Sequence, residues 1–209
     1  MESNANVVAS GVVNSNKDKD VTPAANVSNV TITVGDNATN NKDFILNIGG
    51  AIGTIDSNLT ATSELKNALT LQGVSTKNVN INTANLGSAK TVSVGGLVGY
   101  ANCANFEILT NNEESGHVTN ISNKVEGLNF NEGKTIERNV LQEFNIGGAI
   151  GKNKNSYGGN IILGTSNKLN VEFGSDVNTL LKATVGGVFG YADVNTLENI
   201  AAANLKINV

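Results

Sequence analysis

Ile48-Gly49-Gly50-Ala51-Ile52-Gly53 returns along the chain as Val94-Gly95-Gly96-Leu97-Val98-Gly99, Ile146-Gly147-Gly148-Ala149-Ile150-Gly151 and Val185-Gly186-Gly187-Val188-Phe189-Gly190. The shared pattern is apolar-Gly-Gly-apolar-apolar-Gly. Two copies read NIGGAIG, while the other two continue into Tyr100-Ala101 and Tyr191-Ala192. Internal repetition is therefore the firmest property of the sequence.

A short apolar-polar-apolar segment travels with each copy: Val30-Thr31-Ile32, Val79-Asn80-Ile81, Leu128-Asn129-Phe130, Leu169-Asn170-Val171 and Leu205-Lys206-Ile207. From the first four to the following Gly-Gly the separation is 19, 16, 19 and 17 residues; from Gly-Gly to the next such segment it is 30, 33, 22 and 19. One connection is nearly constant and the other varies, the way a repeat array gathers its insertions on one face. The expectation is one repeat domain over 1–209, with units at 28–76, 77–125, 126–166 and 167–209. Residues 1–27 form a partial unit, in which Ser10-Gly11-Val12-Val13 reads as a decayed copy.

Val, Ile, Thr, Asn and Gly are poor helix formers, and the period-2 runs Val30 to Val34, Val79 to Thr83 and Thr91 to Val94 fit strands. Asn/Gly/Ser clusters such as Gly35-Asp36-Asn37 and Lys152-Asn153-Lys154-Asn155-Ser156 read as turns. One short helix is expected over Ala61 to Leu71, capped near Thr60 to Glu64 and stopped at Gly73. The expected fold is all-β, a β-solenoid of the parallel β-helix kind built from about four Gly-Gly repeats. In such a stack, tiers lie about 4.8 Å apart, and glycine is needed where a Cβ would collide or φ must be positive. Like residues stack on like, and Asn ladders satisfy turn amides.

Composition narrows the functional classes. The 209 residues include 36 Asn and 23 Gly but 1 His, 1 Cys, 1 Pro and no Trp, and Arg138 is the single Arg. A His/Cys metal centre and a disulfide framework are excluded on these counts. At net charge −4 with 15% charged residues and no basic block, nucleic acid and anionic membranes are not expected partners. Aromatics at 4% make an aromatic platform for bases or sugars unexpected as well. No apolar run approaches the ~18 residues of a membrane span, so membrane insertion is not expected. Met1 is followed by Glu2-Ser3-Asn4 rather than a basic and apolar leader, and the reading preferred here is a mature segment carrying an added start Met.

Gly95-Gly96-Leu97-Val98-Gly99-Tyr100-Ala101-Asn102 resembles the core of the GLUG repeat, Gly-Gly-Leu-Val-Gly followed by an aromatic or polar residue and Asn. The copy from Val185 to Tyr191 is close to it, and the two NIGGAIG copies depart at the Leu and the Tyr. The resemblance implies a β-solenoid building block of large secreted or surface-anchored bacterial proteins, among them adhesin-like proteins and non-catalytic portions of immunoglobulin A peptidases. It implies an extracellular or cell-surface location and is silent about activity.

Candidate chemistry is sparse. The repeat glycines Gly49, Gly50, Gly53, Gly95, Gly96, Gly99, Gly147, Gly148, Gly151, Gly186, Gly187 and Gly190 are read as structural, because no helix start or Lys-Ser/Thr follows them as a phosphate loop requires. Asn14 to Asp20 alternates oxygen side chains but lacks the Gly and Glu of an EF-hand loop. A looser Ca²⁺ site there, or on Asp36, Asn37 and Asp43, stands as the minor alternative to a solvated turn; no other cofactor is expected. His117 sits in Glu113-Glu114-Ser115-Gly116-His117 without a second His or a marked nucleophile, and reads as an exposed loop residue. Cys103 reads as a small buried filler. A polysaccharide-cleaving β-helix enzyme needs clustered carboxylates on adjacent tiers, where this chain has Asn, Thr and Gly. Ice binding fails because Thr31-Ile32-Thr33 is not repeated at Asn80, Asn129 or Asn170.

The resulting expectation is a non-catalytic structural or adhesive segment. Its contact loop runs from Cys103 to Val125 and carries Glu113, Glu114 and His117, and its partner is a host or neighbouring-cell surface protein or glycan. The alternatives are a self-associating extracellular fibre subunit, suggested by ends that look uncapped, and an accessory repeat region of a surface peptidase.

Overall fold

A computed structural model describes residues 26–34, 44–56, 71, 73–83, 89–104, 106, 123–132, 134–136, 140–156, 161–173, 179–194, 200–202 and 205–208. Among them every regular element is a strand. In chain order these are β1 (Asn26–Thr33), β2 (Phe44–Gly49), β3 (Ile52–Asp56), β4 (Ser75–Asn82), β5 (Ala89–Gly95), β6 (Val98–Asn102), β7 (Asn123–Glu126) and β8 (Asn129–Phe130). There follow β9 (Val140–Gly147), β10 (Ile150–Ser156), β11 (Ile161–Leu163), β12 (Lys168–Asn170), β13 (Thr179–Gly186), β14 (Phe189–Val194), β15 (Ile200–Ala202) and β16 (Lys206–Asn208).

The strands pair in parallel and sort into three curled sheets. Sheet I runs β2-β5-β9-β13, sheet II runs β3-β6-β10-β14, and the eight strands of sheet III centre on β4. Each Gly-Gly segment carries the chain from sheet I to sheet II, so successive repeats add one strand to each in sequence order. In sheet III, β1 pairs along the whole of β4, whose first half then pairs with β7 and whose second half pairs with β8. The split falls at a stacked left-handed position, Asn29 (φ 57), Asn78 (φ 54) and Gly127 (φ 65). Asn and Gly are the residues that tolerate that conformation, and Asn78 Nδ2 donates to Asn29 Oδ1 at 3.2 Å across the step.

Register makes the repeats explicit. Leu46, Val92 and Phe144 form one inward row, and Ile48, Val94, Ile146 and Val185 the next. From sheet III, Ile32, Ile81, Phe130, Leu169 and Ile207 form a facing row. All of these but Ile207, which is exposed, build one apolar core together with Val79, Leu97, Leu128 and Phe106, most of it completely buried. Each such side chain contributes about 1.5–3 kcal/mol relative to exposure.

The corner explains the glycines by space rather than by φ, since the only described glycines with positive φ are Gly73 and Gly127. A Cβ on the first glycine would meet the carbonyl oxygen of its own corner, at 1.9 Å for Gly49, 2.1 Å for Gly95, 2.0 Å for Gly147 and 1.8 Å for Gly186. On the second it would meet the next repeat, 2.2 Å from Gly96 O for Gly50, 2.4 Å from Gly148 O for Gly96 and 2.1 Å from Gly187 O for Gly148. On the third it would meet the preceding repeat, 2.5 Å from Ile48 N for Gly99, 2.4 Å from Val94 N for Gly151 and 2.5 Å from Ile146 N for Gly190. The corner amides use that proximity: Ala51 N donates to Leu97 O at 3.0 Å, Leu97 N to Ala149 O at 2.9 Å and Ala149 N to Val188 O at 2.9 Å.

Three expectations are corrected. Lys152 to Ser156 is strand rather than turn, because β10 is paired on both sides, to β6 and β14, and this outweighs the local preference of Asn and Ser. The fourth sheet III segment is Asn167-Lys168-Leu169, since Leu169 pairs with Phe130 and Ile207. Counted from Asn167, the distance to Gly186 is 19 residues, as from Val30 to Gly49. A further strand also precedes each segment in sheet III, as in β7, β11 and β15. The expected helix lies outside the described residues except for Leu71, which is in no helix.

Buried asparagines seal the steps between repeats. Asn123 accepts from Val74 N and donates to Leu71 O, Asn131 accepts from Thr83 N, and Asn167 accepts from Leu128 N while donating to Val125 O and Gly164 O. Asn153 is the exception: fully buried in the row of Ile55, Ala101 and Ala192, it has no hydrogen-bond partner at either amide atom.

Two stability outcomes follow from this packing. Gly96→Ala is expected to lose about 3 kcal/mol or more by overpacking against backbone, whereas Gly187→Ala, whose nearest neighbour is the Leu205 side chain at 3.0 Å, loses under about 1 kcal/mol. Asn153→Ala, which copies its neighbours in the row, should raise the denaturation midpoint by the equivalent of about 1 kcal/mol, because an unpaired buried amide is removed. Urea unfolding with unchanged m-value checks both.

Candidate functional site

The corner that forces the glycines also shapes the outer surface. In β2, Leu46 and Ile48 face the core, so Asn47 faces outward; in β3, Ile55 faces the core, so Thr54 faces outward. Two outward side chains from adjacent sheets can bond only where the outer faces turn toward each other. Asn47 Nδ2 does donate to Thr54 Oγ1, at 3.0 Å. Sheets I and II therefore meet in a concave crease that runs lengthwise over four repeats.

Register lists its lining. Sheet I contributes the row Asn47, Ser93, Asn145, Thr184 and, nearer the lip, Ile45, Thr91, Glu143, Lys182. Sheet II contributes Thr54, Tyr100, Lys152, Tyr191 and, nearer its lip, Asp56, Asn102, Lys154, Asp193. Outward-facing Ser93 and Asn145 are nonetheless buried. The hydroxyl of Thr184 bonds Asn145 Oδ1, while Asn145 Nδ2 donates to Glu143 Oε1 at 3.1 Å.

Across the crease, Lys152 Nζ donates to both oxygens of Glu143, at 2.9 and 3.0 Å. Lys152 and Lys182 also lie over the Tyr191 ring, 5.5 and 4.4 Å from its centroid, one from each wall. Burial pushes the Glu143 carboxyl up, but the bonds from Lys152 and Asn145 and the charges of Lys152 and Lys182 outweigh it, and the pKa lies below the ordinary carboxylate value. Burial, followed by the nearby carboxylates of Asp56 and Glu143, pushes the Tyr100 phenol up, so that it stays a neutral donor and acceptor.

The residues singled out in the sequence fall elsewhere. Glu113, Glu114 and His117, the loop Asn14 to Asp20, and Asp36, Asn37 and Asp43 lie outside the described residues. Cys103 is buried just past the end of β6, in a left-handed conformation (φ 50) that stacks on Asn155 (φ 50). Among the described residues no three His, Cys, Asp or Glu side chains gather where a metal could be held, and no helix is long and apolar enough to cross a membrane. The crease itself was missed from sequence. Its available signal was the polar residue at every second position flanking Gly-Gly, which reads as solvent-facing until the corner angle is known.

No family model, no curated protein and no solved structure matches the chain.

Because the folded-state pKa of Glu143 is depressed, its contribution to stability is complete above the unfolded-state value and is lost as pH falls through the folded one. Thermal melts taken downward through the carboxylate range should show Glu143→Gln losing less stability than the parent over that interval.

Proposed function

We propose that the chain is a β-solenoid segment of GLUG type in a secreted or cell-surface bacterial protein, acting as a non-catalytic structural or adhesive element. The observation that carries this reading is the return of equivalent residues to the same rows of three sheets, with each corner hydrogen-bonded to the next at nearly constant distance. Such a stack is stiff along its length because each repeat contacts its neighbours through backbone, and it leaves the connections between repeats free to vary. The loop from Cys103 to Val125, with Glu113, Glu114 and His117, is the preferred contact to a host or neighbouring-cell protein or glycan.

One observation favours self-association as a second reading. In the last repeat Ile200 and Ile207 are 36% and 41% exposed, while Ile161 and Leu169 in the same rows of the preceding repeat are 0% and 1%. Exposed apolar side chains of this kind suit packing against another copy. On the first-repeat side of the same sheet, Val27 and Val30 of β1 are 8% and 2% exposed, so the two sides of sheet III differ.

Negative-stain electron microscopy of the purified chain separates these readings: short discrete particles fit the segment, and long filaments fit the stacking subunit. Deleting Asn111 to His117 is expected to reduce adhesion to host cells or matrix at least about tenfold, or about 1.4 kcal/mol; undiminished adhesion removes the loop assignment.

A further inference from the structure

We propose that the side chains of Lys152 and Asn145 become joined by an amide bond, a covalent clamp that the chain forms on itself across its third Gly-Gly corner. The proposal stands apart from the adhesive and stacking readings, and its failure leaves both untouched. It treats this tier of the crease as a packed reaction site.

The groups that such a step requires meet here. The nucleophile is Lys152 Nζ, which lies 2.9 and 3.0 Å from the two oxygens of Glu143. The electrophile is the Asn145 amide, whose Nδ2 donates at 3.1 Å to the same Oε1 of Glu143 that accepts from Lys152. Because they share one acceptor, the amine and amide nitrogens lie no more than about 6 Å apart. The flexible four-carbon stem of lysine spans what separates this from an attacking distance of about 3–3.5 Å. Thr184 acts on the carbonyl of the same amide: its hydroxyl donates to Asn145 Oδ1, where negative charge develops as the tetrahedral adduct forms. Asn145 is 0% exposed, which keeps water from competing with the amine.

The step balances without a co-reactant. The Lys152 ammonium passes one proton to the Glu143 carboxylate, and the freed amine forms a bond from Nζ to Cγ of Asn145. As the adduct collapses, the bond from Cγ to Nδ2 breaks. Glu143, which bonds that nitrogen as well, returns the proton to it, and a second proton from Nζ departs with the ammonia as ammonium. One amide replaces another, and Glu143 ends as it began. The depressed pKa of Glu143 makes it a weak base and the transfer slow. A single event per molecule is enough, however, and escape of ammonium makes it one-way.

Only the third repeat assembles the set. At the equivalent positions the first repeat keeps the amide as Asn47 but has Ile45 and Thr54 for the acid and the amine. The second and fourth have no amide, since Ser93 and Thr184 stand in the row of Asn145. The new bond closes a ring through residues 145–152 that encloses Gly147 and Gly148, tying sheet I to sheet II at that corner.

Mass spectrometry of the full chain, freshly purified and after a week's incubation, tests this. The expected chain is lighter by one ammonia, and the loss sits in a tryptic peptide running from Asn139 to Lys154. Cleavage after Lys152 is blocked there because its amine is acylated, and fragments from backbone breaks inside the ring are missing. Lys152→Arg keeps the positive charge without a lysine amine, and Glu143→Gln removes the proton acceptor; both should retain the full mass. The distant Lys168→Arg should lose ammonia as the parent does, with circular dichroism confirming that each variant is folded. A parent chain still at full mass after incubation overturns the proposal. So does ammonia loss that persists in Lys152→Arg, which marks cyclisation of Asn145 onto its own backbone, and so does undiminished cross-linking in Glu143→Gln.

Discussion

A carbonyl oxygen about 2 Å from where a Cβ would sit governs this molecule. At each Gly-Gly the chain leaves one sheet for the next, and the corner is tight enough that backbone fills the space a side chain would occupy, within the repeat at the first glycine and between repeats at the second and third. Remove that closeness and the corner amides of Ala51, Leu97 and Ala149 lose acceptors in the next repeat. The constraint is relaxed only at the ends, where Gly53 has no described repeat before it and Gly187 none after it; their nearest atoms lie at 3.1 and 3.0 Å. That gradation shows the motif is shaped by neighbours as much as by local turn geometry.

Asparagine does the complementary work. Its abundance suggests ladders of like on like, and such steps join Asn78 to Asn29 and Asn155 to Asn102. More often a buried Asn reaches the backbone of the adjacent repeat, where a bend leaves an amide or carbonyl without a partner inside its own strand, as Asn123, Asn131 and Asn167 do. Side-chain amides are suited to this because one group both donates and accepts. Asn167 also stands in a row where other repeats carry Val79 or Leu128, so polar sealing has replaced apolar filling at one tier.

That replacement explains why the sequence reading slipped there. With Leu at the expected position missing, Leu169-Asn170-Val171 was the nearest apolar triplet, two residues late. Strand composition, repetition and the place of the glycines were legible because they depend on residue type and spacing. The turn expected from Lys152 to Ser156 failed because pairing on both sides is a property of the neighbours, not of the five residues themselves. The crease was illegible for a related reason: alternation tells which side chains leave the core, but not whether two outer faces diverge or converge. Low aromatic content argued against an aromatic platform, yet it carried no information about where the few tyrosines gather. The residues with the most recognisable chemistry, Glu113, Glu114 and His117, lie outside the described residues.

The corner bonds have a consequence for how such a chain changes over generations. Each Gly-Gly segment recognises only the one before and the one after, and it does so through backbone atoms that every copy supplies alike. A duplicated unit can therefore be spliced in between two existing ones and find both of its neighbours already suited to it. Length becomes a heritable variable adjusted in whole steps, while the connecting loops diverge on their own.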